Sequence, residues 1–192
     1  MESLWVSTGV VALAEVGDKT QLLAFLLAAR FKKPLPIVLG ILVATLINHG
    51  LAGALGAWIT ANIGPETLRW VLGGSFVAMA VWTLIPDKIE EEETQVAHKL
   101  GVFGATLVTF FVAEMGDKTQ IATVAMAAHY ATPVLVVAGT TLGMLIADVP
   151  AVLLGDKLAN KIPTRLVHTL AAALFAALGV ATLLGAGAGW GL

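Results

Sequence analysis

Glu15-Val16-Gly17-Asp18-Lys19-Thr20-Gln21 recurs 99 residues later as Glu114-Met115-Gly116-Asp117-Lys118-Thr119-Gln120. Beyond the two heptads, the same offset aligns Gly40 with Gly139, Gly56 with Gly155 and Phe76 with Phe175. The chain therefore reads as two copies of one unit, and both fold and function have to be built from that duplication.

Composition identifies the solvent. Of 192 residues, 58% are hydrophobic and 12% charged, about half the charged fraction of an ordinary soluble domain. Such a chain lacks the polar surface to face water on all sides, so an integral membrane protein is expected. Apolar stretches run approximately over 4–29, 36–62, 67–86, 101–128, 133–154 and 165–189, each near or above the roughly 20 residues that cross a bilayer. Pro34, Pro36, Gly64-Pro65, Pro86, Pro133 and the charged stretch 156–165 mark the ends. The expected fold is all-α with six transmembrane helices: a first three-helix repeat at 1–86, an acidic cytoplasmic loop at 87–100 and a second three-helix repeat at 101–192. An odd number of spans per unit inserts the second copy upside down, which is the inverted-repeat plan of many secondary transporters. Ala12-Leu13-Ala14 has the small-x-small pattern of a signal-peptidase site, but no basic segment precedes it, so no cleavage is expected.

The few charges orient the chain. Arg30, Lys32 and Lys33 fall in the first loop, Lys88 and Lys99 in the third, Lys157, Lys161 and Arg165 in the fifth, against Arg69 alone on the opposite face. The positive-inside rule makes the odd-numbered loops cytoplasmic and both termini external, in a multi-pass protein of the cell's inner (plasma) membrane. Trp5, Trp58, Trp70 and Trp190 lie near the external ends of their spans, as an interfacial aromatic belt requires, and Trp82 lies near the other face. A net charge of −2 gives no basic face for nucleic acid. The absence of cysteine excludes a disulfide scaffold, a thiolate metal site and a thiol nucleophile.

Both heptads fall near mid-span, where an ionised carboxylate is costly and marks a functional site by default. On a helix Glu15, Asp18 and Gln21 are three apart and share a face, as do Glu114, Asp117 and Gln120. Four carboxylates facing one another across the pseudo-symmetry axis would form a cage of hard oxygen ligands. Lys19 and Lys118 follow Glu15 and Glu114 by four, a spacing that permits an ion pair and limits the negative charge. Gly17 and Gly116 allow close helix contact or a local break, and Thr20 and Thr119 can re-satisfy backbone groups or add an oxygen. A simple salt-bridged joint needs one acid per base, whereas each heptad has two acids, an amide and a hydroxyl. Asn48 and His49 in the second span and Asp148 in the fifth are further candidates for an ion or proton site, and the offset pairs His49 with Asp148. Asn48 and His49 could instead bond neighbouring helices, and Asp148 could pair with a motif lysine. Pro150 would disturb the helix just beyond Asp148. The acidic run at 90–93 reads as a solvated charge run, and His98, His129 and His168 lie at span edges with no role assigned.

The duplicated E-x-G-D-[KR]-[ST] in a six-span chain resembles the signature of the divalent-cation transporter family that includes MneA-type bacterial manganese exporters and the Golgi manganese/calcium transporters of yeast and humans. The resemblance covers essentially the whole chain, with both motifs intact. It implies a cation/proton antiporter in which Glu15, Asp18, Glu114 and Asp117 bind the metal. Oxygen donors suit magnesium, calcium or manganese. Manganese comes first and calcium second, as transported substrate rather than resident cofactor, with protons as the coupling ion. Two alternatives stand beside it. An exporter of small organic cations such as amino acids needs a partner for the substrate carboxylate. An intramembrane metal-dependent lipid-phosphate hydrolase needs an asymmetric catalytic set, which the duplicated motif does not supply. With both motifs in one chain, the sequence suits a monomer or a homo-oligomer equally.

Overall fold

The computed structural model describes residues 1–85, 100–154 and 164–185. The acidic run at 90–93, His98, Lys88, Lys99, Asp156, Lys157, Lys161 and Trp190 lie outside the described residues. Among the described residues the chain is all-helical, without strands. The eight helices of the described residues are α1 (Glu2–Glu15), α2 (Lys19–Phe31), α3 (Pro34–Asn62), α4 (Pro65–Trp82), α5 (Gly101–Glu114), α6 (Lys118–Tyr130), α7 (Pro133–Leu154) and α8 (Thr164–Leu183). Proline opens α3, α4 and α7, where its fixed φ is preorganised for the first turn and its missing N–H is one that no helix would use. Among the described helices, α3 and α7 are the two long and apolar enough to cross a membrane unaided.

The first and fourth apolar stretches are each two helices rather than one. Both break inside the heptad. Val16 (φ −65°, ψ 115°) leaves the helical region, Gly17 turns at φ +82°, and Asp18 (φ −81°, ψ 172°) opens the next helix. The second copy repeats this at Met115 (φ −67°, ψ 115°), Gly116 (φ +77°) and Asp117 (φ −74°, ψ 165°). A positive φ is a conformation that glycine alone adopts without steric cost. The match extends to the far ends of α2 and α6, where Lys32 (φ 52°) and Ala131 (φ 47°), again 99 apart, stop their helices in the left-handed region.

The two copies interlock. Helix α1 lies along α7 and α5 along α3; α2 also meets α7, and α6 meets α3. The long helices α3 and α7 pack on each other at the centre, and α4 and α8 form an outer pair. Each broken helix thus rests on the long helix of the other copy. Glycine makes the seams close: a Cβ on Gly139 would collide with the Leu4 carbonyl oxygen, and one on Gly143 would come within 2.7 Å of the Thr8 carbonyl oxygen. Its counterpart Gly40 faces Phe103 and Thr106, each 99 residues beyond Leu4 and Ser7, with Thr106 Cβ at 2.7 Å. Small residues at such seams let helices approach where lipid removes the hydrophobic driving force between them.

Polarity is turned inside out relative to a soluble protein. Leu39, Leu46, Ile47, Leu51 and Leu55 line the outer face of α3, and Trp5, Trp58 and Trp70 are all exposed. Glu15, Asp18, Asn48, His49, Glu114, Asp117, Lys118 and Asp148 are buried, beside an apolar core that includes Phe76, Phe110, Met126, Met144 and Phe175. A bilayer selects this distribution, because apolar outer faces cost nothing against lipid while charges must turn inward.

Candidate cation centre

The two breaks bring motif acids of both copies together. One carboxylate oxygen each from Glu15, Glu114 and Asp117 lie within 4.8 Å of one another, and all three residues are buried. Oxygens held about 2.3–2.6 Å from one calcium-sized ion are up to roughly 5 Å apart, so this spacing fits three ligands on one divalent cation. Asp18, the fourth expected ligand, stands beside this set in an ion pair with Lys118.

The lysines depart from the sequence reading. Pairing four residues back within each heptad assumed an unbroken helix, and the break removes that geometry. The pairs run instead between copies: Lys118 Nζ lies 2.8 Å from Asp18 Oδ1, and Lys19 Nζ lies 3.5 Å from Asp117 Oδ1. The continuous face of Glu15, Asp18 and Gln21 is replaced for the same reason. Glu15 ends α1, Asp18 occupies the N-cap position of α2 without a side-chain capping bond, and both are buried.

A threonine hydroxyl fixes each glutamate. Thr20 Oγ1 donates to Glu15 Oε2 at 2.5 Å and Thr119 Oγ1 to Glu114 Oε2 at 2.9 Å. The other oxygen of each glutamate, Oε1, is buried without a hydrogen bond. Gln21 Oε1 accepts from the Gly17 N–H and Gln120 Oε1 from the Gly116 N–H, both at 2.8 Å, which ties each glycine turn to the helix that follows. Their amide nitrogens reach the opposite copy: Gln21 donates to the Ala147 carbonyl at 2.9 Å and Gln120 to Asn48 Oδ1 at 3.4 Å. Asn48 also donates to the Phe111 carbonyl at 3.1 Å, so it bonds a neighbouring helix.

Next to these contacts the two copies differ chemically. Asp148 on α7 is fully buried, neither of its oxygens makes a hydrogen bond, and it lies within electrostatic reach of Glu15 and Glu114. The pairing of Asp148 with a motif lysine is not formed. At the counterpart position on α3, His49 is fully buried with neither ring nitrogen hydrogen-bonded. Helix α7 continues through Pro150 to Leu154. His168, given no role from sequence, has Nε2 2.9 Å from the Val16 carbonyl oxygen at the first break. His129 stands edge-on to Phe76 and Tyr130. Only the break geometry could have revealed the His168 contact, because it joins residues 152 apart.

Duplicated buried acids, two of them paired with lysines, form an oxygen-donor set that suits a divalent cation. The sequence profile described as "Divalent cation/proton antiporter GDT1" matches residues 3–91 and again 102–190, two segments 99 residues apart. The chain belongs to this family of divalent cation/proton antiporters, which are transporters and not enzymes; the hydrolase alternative falls with that. It is 50% identical over 183 residues to a Vibrio cholerae protein named "Putative manganese exporter", covering 95% of this chain and 90% of that one. It is 29% identical to "GDT1-like protein 3" of Oryza sativa subsp. indica, over 91% of this chain and 71% of the relative. It is 27% identical to "GDT1-like protein 5" of Arabidopsis thaliana, over 93% of each. No solved structure matches the chain.

Proposed function

We propose that this protein exports Mn2+ from the cytoplasm in exchange for protons, with Ca2+ as a second substrate. The observation that carries the reading is the convergence of Glu15, Glu114 and Asp117 oxygens within 4.8 Å in a buried site. Five intramembrane acids, Glu15, Asp18, Glu114, Asp117 and Asp148, outnumber Lys19 and Lys118 by three. Carboxylates packed this closely hold either a cation or protons, and metal binding requires the deprotonated form. Competition for one set of oxygens makes the metal-bound and proton-bound states similar in charge. Either can cross between sides, and the empty charged site cannot.

Within this reading Glu15, Glu114 and Asp117 are the central ligands. Asp18 belongs to the same metal site and exchanges Lys118 for the ion. Thr20 and Thr119 orient the glutamates, while Gln21, Gln120 and Asn48 hold the breaks against the opposite copy. Asp148 is an additional carrier of ion or proton, and His49 adds an imidazole that manganese accepts more readily than calcium. The surrounding architecture is six spans in two inverted repeats, α1–α2 and α5–α6 each forming one broken span. Both termini are external and the central loop cytoplasmic, in the plasma membrane. Family membership, the 50% identity to the Vibrio cholerae protein and the basic first, third and fifth loops support this direction and placement.

The test is Mn2+ uptake into proteoliposomes under an imposed pH gradient. Glu15→Gln and Asp117→Asn are each expected to lower the rate at least about ten-fold, equivalent to ~1.4 kcal/mol. Unchanged transport in both variants would reject the site. Flux independent of the gradient would reject proton exchange.

A further inference from the structure

The two copies share a plan but are covered differently. Helix α8 lies along α1 and α4 lies along α6, whereas the contact of this outer pair with the counterpart helices α5 and α2 is at most marginal. Exposure follows: Met115 is 58% exposed while its counterpart Val16 is half-buried, and Leu26 is 42% exposed while its counterpart Ala125 is 3%. The outer pair itself is tightly joined. A Cβ on Gly73 would lie 2.5 Å from Leu183 Cγ, and one on Gly179 would lie 3.1 Å from the Gly73 carbonyl oxygen.

Two side-chain contacts hold the pair where it is. His168 on α8 meets the Val16 carbonyl, at 2.9 Å, a group left at a helix C-terminus by the break. Phe76 on α4 meets His129 on α6 edge to face, ring centroids 6.0 Å apart. The 99-residue offset gives every partner a counterpart: Arg69 for His168, Met115 for Val16, Phe175 for Phe76 and Arg30 for His129. In the present arrangement Arg69 instead stacks on Trp70, 5.5 Å from the ring centroid, and its Nε is buried without a hydrogen bond.

We propose that α4 and α8 move as one body between two docking positions, and that His168 and Arg69 are the positioning residues that hold the two ends of that motion. In the state described here His168 caps Val16 and the pair rests on α1 and α6. In the opposite state the pair rests on α5 and α2, Arg69 caps the Met115 carbonyl, and Phe175 packs against Arg30 in a cation–π contact. In the proposed topology α1 and α6 are the external halves of the broken spans, so the present state is sealed outside and opens to the cytoplasm. The inference uses the duplicated architecture of the preceding reading and is independent of the identity of the cargo.

The absence of native cysteine makes the test clean. Val16→Cys and Met115→Cys are introduced singly into the full chain, reconstituted in metal-free nanodiscs and labelled with a water-soluble maleimide. Met115→Cys is expected to label at least ten times faster than Val16→Cys. Adding His168→Ala raises labelling at 16 and lowers it at 115, and Arg69→Ala shifts both sites the opposite way. His168→Gln, which keeps an N–H donor, restores the original ratio. Loss of packing alone would raise labelling at both sites with either substitution. That outcome, or no change with either, overturns the proposal. No metal enters the experiment, so its failure is distinguishable from failure of the manganese reading.

Discussion

Gly116 carries a backbone at φ +77°, with nothing within 4 Å of where a Cβ would stand. Gly116→Ala therefore meets no steric collision and bears only the left-handed backbone cost, about 1–2 kcal/mol. We expect a thermal-unfolding shift in detergent of that size, together with weaker metal binding, since the turn aims Glu114 and Asp117. The ion pairs differ in a similarly measurable way. Lys118–Asp18 is almost fully buried, whereas the Lys19 side chain in Lys19–Asp117 is 18% exposed and its contact is longer. Removing one partner of a buried pair costs about 3–5 kcal/mol. Lys118→Met is accordingly expected to destabilise the metal-free protein by that much and Lys19→Met by clearly less, as read from their unfolding midpoints. Most of the acids at the centre were legible in the sequence, because a duplicated carboxylate pair in an apolar stretch has few structural uses. The pairing of each lysine was not, since helical spacing presumes the helix that Gly17 and Gly116 interrupt.

At the scale of helices, the glycine seams decide how closely the copies interlock. Gly139 faces the Leu4 carbonyl and Ser7 across the α1–α7 contact, while Gly74 has nothing within 4 Å. Gly139→Val is expected to separate α1 from α7, costing at least the ~1–3 kcal/mol of an overpacked interior and lowering the melting temperature. Gly74→Val adds its side chain in open space and is expected to leave stability within about 1 kcal/mol, the helix-propensity range. Equal melting temperatures for the two variants would contradict the seam. The repeat itself was legible from residues such as Gly40 and Gly139, which share one offset and occupy equivalent seams. The breaks were only half legible. Hydropathy runs uninterrupted over 4–29 and 101–128, and a lone glycine in such a run is compatible with close packing as well as with a turn. Nor could sequence disclose that α8 sits on α1 but α4 on α6, because two copies of one motif give no reason for unequal contacts.

For the whole molecule, charge balance links the cation to protons. Metal binding that displaces n protons weakens by about n powers of ten for each unit the pH falls. Calorimetric titration with Mn2+ in buffers of different ionisation enthalpy is expected to register proton release and an affinity that drops with acidity; a pH-independent affinity would break the exchange mechanism. At this scale the proposal is that the two breaks build one metal site from both copies. It is tested most directly by anomalous diffraction at the manganese edge from crystals soaked in Mn2+. One strong peak is expected, bounded by the Glu15, Glu114 and Asp117 carboxylates, and Glu114→Gln abolishes it. A peak confined to the acidic run at 90–93, or no peak among those three carboxylates, would overturn the proposal.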